Sequence, residues 1–166
     1  MKRGDGLELV KFENEDLELF EKWLNDPFIY RWFCDGGEED IEAWLEDVGS
    51  GGHSYSFIAV KDGVKMGFGV CLDLFYEPEY VSEQYPDLNL EPKQAFEINY
   101  LIDEKYLGQG LGKEIVRLLE RKCKNMGAKW VMADPSEQNV QSTKVLLANG
   151  FKKYKDGDYR KEIIVK

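Results

Sequence analysis

Apolar and polar positions change period several times along the chain, and each change marks an element. Residues 7–12 (Leu-Glu-Leu-Val-Lys-Phe) alternate, which predicts a first strand. Leu17, Phe20 and Leu24 recur at helical spacing behind Asn14, a residue type that caps helix starts, and Asp26-Pro27 ends that helix. Residues 38–48 predict a second short helix, stopped by the glycines at 49, 51 and 52. Residues 54–61 set Tyr55, Phe57 and Ala59 on one side of a strand. Asp62-Gly63 is a hairpin turn signal, and residues 64–72 form the return strand. Residues 95–102 (Ala-Phe-Glu-Ile-Asn-Tyr-Leu-Ile) give a strong strand pattern. A glycine-rich stretch leads into a helix over 113–126, with Ile115, Leu119, Cys123 and Met126 on one face and Gly127 closing it. Residues 129–133 read as a strand and 139–149 as a helix closed by Asn149-Gly150. Residues 151–155 and 159–165 read as a last hairpin around Asp156-Gly157. The order β-α-α-β-β-β-α-β-α-β-β predicts an α/β (α+β) fold with a mixed central sheet flanked by helices. A length of 166 residues suits one domain over 1–166.

Residues 73–92 break the alternation. They hold Pro78, Pro86 and Pro92 and the acids Asp73, Glu77, Glu79, Glu83, Asp87 and Glu91, without Lys or Arg. Phe75, Tyr76, Tyr80 and Tyr85 are interleaved. The segment is too aromatic for a disordered linker and too long for a simple hairpin, so it reads as a functional insertion.

Composition removes several classes. Lys and Arg number 22 against 32 Asp and Glu, for a net charge of −10. A phosphate backbone calls for a basic face, so neither nucleic acid nor an anionic membrane is expected as the partner. A cationic partner is favoured by long-range attraction, and a merely soluble acidic surface accounts for the same charge. No run of about 18 apolar residues exists, and Met1–Asp5 lead into alternating charge, unlike a signal core. Cys34, Cys71 and Cys123 are odd in number and widely spaced, which predicts free thiols in a cytoplasmic setting. His53 is the lone histidine, and neither CxxC nor HxxxH occurs, so no metal is expected.

The stretch Leu107-Gly108-Gln109-Gly110-Leu111-Gly112 sits between a strand and a helix, where glycines let backbone N–H groups approach an anion. It is not GxGxxG, because Ile115 stands where the last glycine belongs. It is not a Walker loop, because Glu114 follows Lys113. A strand-to-helix turn with no ligand satisfies the same glycines. A second motif follows at a distance: Asn139-Val-Gln-Ser142, then Asn149-Gly150-Phe151. Together these resemble the GNAT superfamily of acyl-CoA-dependent N-acetyltransferases, over essentially the whole chain and most strongly over 95–152. That family's signature is Gln/Arg-x-x-Gly-x-Gly/Ala, a helix, a strand, then Asn-x-x-Ser/Ala and Gly-Phe. Its first position here is Leu107. Within the superfamily the chain is similar to aminoglycoside 6′-N-acetyltransferases. The matching stretches are Lys22–Asp26, Arg31-Trp32-Phe33, the acidic aromatic insertion, Gly110-Leu111-Gly112, and Ala133-Asp134-Pro135 before Asn139. Relatives that act on ribosomal proteins or siderophore precursors share the Trp-Leu-Asn-Asp type of opening.

The resemblance implies acetyl-CoA as co-substrate and a small-molecule amine as acceptor. It places the pyrophosphate on backbone at Leu107, Gly108, Gln109, Gly110, Leu111 and Gly112, with Lys113 beside it. It places polarisation of the thioester carbonyl at a main-chain N–H around Leu101 and Ile102 in a splayed central strand. Asn139 and Ser142 contact the pantetheine region, or Asn139 caps its helix. An alkylammonium is almost fully charged at neutral pH, so a base is needed. Glu97, on the central strand, is the choice for it; a salt-bridged strand glutamate is the other reading. Asp134 reads as a binder of the substrate ammonium or as a turn residue. Asp73, Glu79 and Glu83 read as cation-binding acids or as part of a solvated loop. Many relatives place a tyrosine one turn before Gly-Phe to protonate the leaving thiolate; Leu146 stands there, so Tyr100 or Tyr106 supplies the proton or none is needed. The subgroup's strand aspartate falls on Ile98, beside Glu97. Trp23, Trp32 and Phe33 are expected to pack the first helix, and Cys71 and Cys123 to lie in the core. Members of the superfamily are often homodimers, though no interface is legible here. A protein N-terminal or lysine acetyltransferase, or a non-catalytic acyl-CoA-binding module, are the alternatives to an aminoglycoside-type enzyme of antibiotic resistance.

Overall fold

The computed structural model describes residues 6–33, 38–50, 52–135, 139–155 and 157–163. Met1–Asp5, Cys34 and Asp156 lie outside them, as does the side chain of Trp32. The strands are β1 (Glu8–Lys11), β2 (Ser54–Lys61), β3 (Val64–Asp73), β4 (Ala95–Ile102), β5 (Trp130–Ala133), β6 (Lys152–Lys155) and β7 (Asp158–Glu162). The helices are α1 (Leu17–Leu24), α2 (Pro27–Phe33), α3 (Glu38–Ser50), α4 (Pro78–Gln84), α5 (Leu111–Asn125) and α6 (Val140–Ala148). The strands form one sheet in the order β1-β2-β3-β4-β5-β7-β6. β4 and β5 run parallel, and the other neighbouring pairs are antiparallel.

Two helices go beyond the predicted order. Asp26-Pro27 does end α1, but it also starts α2. The Asp26 carboxylate accepts the Phe28 N–H at 2.9 Å, and Pro27 occupies the first helical position, where its missing N–H costs nothing. α4 lies inside the insertion, again with proline at its start. Leu74, Val81 and Tyr85 bury against Ala95 and Met132, which seats this segment on the sheet. The first helix also differs from its predicted face. Leu17 is 40% exposed, and Trp23 joins Phe20 and Leu24 inside instead.

Period-two alternation in the central strands feeds two cores. On one face α5 and α6 bring Ile115, Leu119, Cys123, Val145 and Leu146 over Phe96 and Ile98. On the other, Phe20, Trp23, Leu24 and Ile29 cover Phe68, Val70 and Leu101. Phe33 stacks near Trp44, with ring centroids 4.7 Å apart. Cys71 and Cys123 meet in the first core with their sulfurs 3.4 Å apart. The backbones of β3 and β4 approach closely at Gly67, where an added Cβ would lie 2.4 Å from the Leu101 carbonyl oxygen. Gly67→Ala is therefore expected to destabilise the protein by about 2 kcal/mol, as overpacking of a fixed backbone does. Thermal unfolding checks this; a Tm equal to that of the native protein would contradict it.

Candidate active site

β4 pairs with β5 only over Ala95–Glu97, against Trp130–Met132. β5 then ends at Ala133, while β4 continues to Ile102 and stays paired with β3 throughout. The β5-facing backbone of β4 beyond Glu97 thus opens into a cleft of roughly 940 Å³. Its walls include Ile98–Ile102, the glycine turn, α2 at Phe28 and Phe33, Ala133–Pro135, and the start of α6.

The glycine turn has the backbone that an anion cradle requires. Gly108 and Gly110 have φ of 82° and 74°, in the left-handed region that side chains rarely adopt. Gly110 caps α5, whose N-terminus carries partial positive charge. Gly112 packs against Tyr100, with an added Cβ 3.5 Å from the ring and its hydroxyl. Leu101, Ile102, Leu107, Gly108, Gly110, Leu111, Gly112 and Lys113 all line the cleft; Gln109 is exposed and is not on its wall. Asn139 also reaches the wall, and its carboxamide oxygen accepts the Ser142 N–H at 3.0 Å, which makes it the cap of α6.

Tyr100 crosses from β4 to α6. Its hydroxyl donates to Ser142 Oγ at 3.3 Å, one turn before Leu146. Burial pushes the phenol up, against the opposing pull of the Ser142 hydrogen bond, so it stays protonated at neutral pH. Tyr106 lines the cleft as well.

Glu97 is 8% exposed and sits at the last position of β4 that pairs with β5; its neighbours Ile98 and Asp134 line the cleft, while Glu97 itself is not on the wall. Burial and the neighbouring Asp134 carboxylate push it up to about 8, opposed by the hydrogen bond that Tyr80 donates to its Oε2 at 2.6 Å. The same hydroxyl lies 3.5 Å from Asp134 Oδ2. Sequence reasoning passed over Tyr80, because one tyrosine among four interleaved aromatics carries no spacing signal. The predicted acids of the insertion take different places. Asp73 is 2% exposed, and its two oxygens accept the N–H groups of Phe75 and Lys93, so it pins the insertion and does not line the cleft. Glu79 and Glu83 are exposed on α4, also off the cleft wall. Asp87 pairs with Arg160 at 2.9 Å, which holds its carboxyl below the usual range.

The signature turn, the splayed strand and the capped α6 coincide with a family match. The model of the acetyltransferase (GNAT) domain matches residues 6–152. The chain belongs to the GNAT acetyltransferase family. That makes it an N-acetyltransferase with a single mixed sheet, as the sequence resemblance implied. No curated protein matches it in sequence. Solved structures share the fold at low identity. The aminoglycoside acetyltransferase AAC(6')-Ib, with coenzyme A and kanamycin, is 21% identical over 95% of each chain, with a TM-score of 0.73. A domain from Methanocaldococcus jannaschii is 23% identical over 95% of this chain and 99% of that one, with a TM-score of 0.71. A ribosomal L7/L12 alpha-N-protein acetyltransferase with coenzyme A is 15% identical over 95% and 94%, with a TM-score of 0.67. No helix among the described residues is long and apolar enough to cross a membrane.

A buried carboxyl raised from 4.5 to about 8 favours the folded state below pH 4.5, and that contribution is lost as pH rises toward 8. Glu97→Gln removes this dependence. The Tm difference, variant minus native, is expected to grow from pH 5 to pH 9. A difference that stays flat across that range would contradict the buried carboxyl.

Proposed function

We propose that the protein transfers an acetyl group from acetyl-CoA to a primary amine of a small polycationic acceptor, of aminoglycoside type. The observation that carries this reading is one cleft lined by both the glycine turn and Asp134, with the buried Glu97 joined to Asp134 through the Tyr80 hydroxyl. The net charge of −10 favours a cationic acceptor. The likeness of fold to an enzyme solved with kanamycin supports the same class.

The glycine turn and the cleft walls fit the coenzyme. Backbone N–H groups at Gly108 to Gly112, and the start of α5, hold its pyrophosphate, with Lys113 alongside. Acetyl-CoA supplies the acetyl group as a thioester, with a thiol as leaving group. Unpaired N–H groups in β4 around Leu101 receive the negative charge that develops on the carbonyl oxygen. Asp134 binds the acceptor as an ammonium. Glu97, when ionised, takes its proton and leaves the amine free to attack. The Tyr100 hydroxyl, held on Ser142 at 3.3 Å, returns a proton to the leaving sulfur.

Thiol release from acetyl-CoA is the test, with kanamycin-type aminoglycosides, simple polyamines and a peptide pool side by side. Release with aminoglycosides and not with peptides is expected; release with peptides alone would replace this reading with protein acetylation. Glu97→Gln is expected to lower kcat by about a hundredfold, as loss of a general base does. Tyr100→Phe is expected to lower kcat about tenfold with KM for acetyl-CoA unchanged, because a thiol near pKa ~8.5 is a tolerable leaving group unaided. Steady-state kinetics decide both; an unchanged kcat in either variant removes that residue from the mechanism.

A further inference from the structure

We propose that Tyr80 is a positioning residue for the reaction's base: its hydroxyl fixes the Glu97 carboxylate beside Asp134 and makes the two acids one receptor for a single primary ammonium. This rests on the acetyltransferase reading above and adds a residue of the insertion to it.

The geometry comes from three elements. β4 delivers Glu97, the end of β5 delivers Asp134, and α4 delivers Tyr80. The hydroxyl stands 2.6 Å from Glu97 Oε2 and 3.5 Å from Asp134 Oδ2. Among the described residues, it makes the one hydrogen bond to the Glu97 carboxylate. The other groups that act on Glu97 include the acids Asp134, Asp158 on β7 and Glu77 before α4, together with the Tyr85 phenol. The phenol itself is driven up by its burial and by Glu97, so it remains a donor wherever Glu97 ionises. Without that donor, a carboxylate surrounded by acids would hold its proton and could not accept one. The ring is fixed independently of its hydroxyl. Val81 and Tyr85 of the same segment are buried, and Tyr80 meets Tyr85 edge-on with centroids 6.2 Å apart. The insertion thus contributes through a neutral hydroxyl, while its acids Glu79 and Glu83 are exposed to solvent.

The hypothesis is tested by carbon-13 NMR titration of protein labelled at its glutamate carboxyl carbons, with Glu97→Gln assigning the signal. Tyr80→Phe keeps the ring and removes the donor, and is expected to move the Glu97 midpoint up by about one unit. Tyr154→Phe removes a hydroxyl of the same aromatic cluster that bonds Asp87 at 3.0 Å, away from Glu97 and Asp134, and is expected to leave the midpoint in place. Asp134→Asn removes a neighbouring charge and is expected to lower it. A midpoint unmoved in Tyr80→Phe, or moved equally in Tyr154→Phe, overturns the proposal. With kanamycin as acceptor, the acid limb of kcat/KM in Tyr80→Phe is expected to shift upward with the midpoint, with KM for acetyl-CoA unchanged. The titration needs no turnover. A shifted midpoint with no thiol release from any acceptor supports the hold on Glu97 and overturns the acceptor class instead.

Discussion

Everything in the site depends on the parting of β4 from β5. A central strand normally spends its N–H and C=O groups on two neighbours. Here β3 keeps its full register with β4, from Gly67–Ile102 to Asp73–Phe96, while β5 stops pairing after Glu97. Unpaired backbone is costly when buried dry, so the parting is tolerable only beside water or a ligand that uses those groups. The strand is held at its other edge by β3 and lies between two cores, with Ile98 in one and Leu101 in the other. The site is therefore a defect in a ladder, built on a strand packed on both faces.

The same parting sets the electrostatics. Glu97 is the last residue of β4 paired with β5, and Asp134 follows the last residue of β5. Two acids come together where the strands begin to separate, both within reach of the Tyr80 hydroxyl of α4. Burying a carboxyl there works against folding, and the apolar packing of Leu74, Val81, Tyr85, Ala95 and Met132 offsets it. The protein keeps a carboxyl raised to about 8 by means of a segment whose stability comes from elsewhere.

Charge in the insertion is a poor guide to which acids matter. Asp73 caps a turn, Asp87 forms an ion pair with Arg160, and Glu79 and Glu83 face solvent. Similar residues in one stretch carry out unrelated tasks, because a local segment has no knowledge of what packs against it. The tyrosine that reaches the two acids was, in the sequence, one of four interleaved aromatics of the insertion.

The sequence by itself determined the strands at 54–61 and 95–102, the face of α5 and the glycine turn. These follow from local periodicity and from the few residues that tolerate a left-handed backbone. It also determined the family, because two motifs a fixed distance apart are hard to meet by chance. It held the signal for α2 in Asp26-Pro27, which is both a stop and a start; only packing beneath the following apolar residues decided which role was added. Tertiary structure alone decided that β4 and β5 part after one short parallel contact, that Tyr100 reaches α6 near the place where relatives carry a tyrosine, and that Tyr80 joins Glu97 to Asp134. Each of these joins residues 17 to 54 positions apart, through side-chain directions set by the sheet's twist and the layers that cover it. No spacing rule along a chain encodes such a meeting.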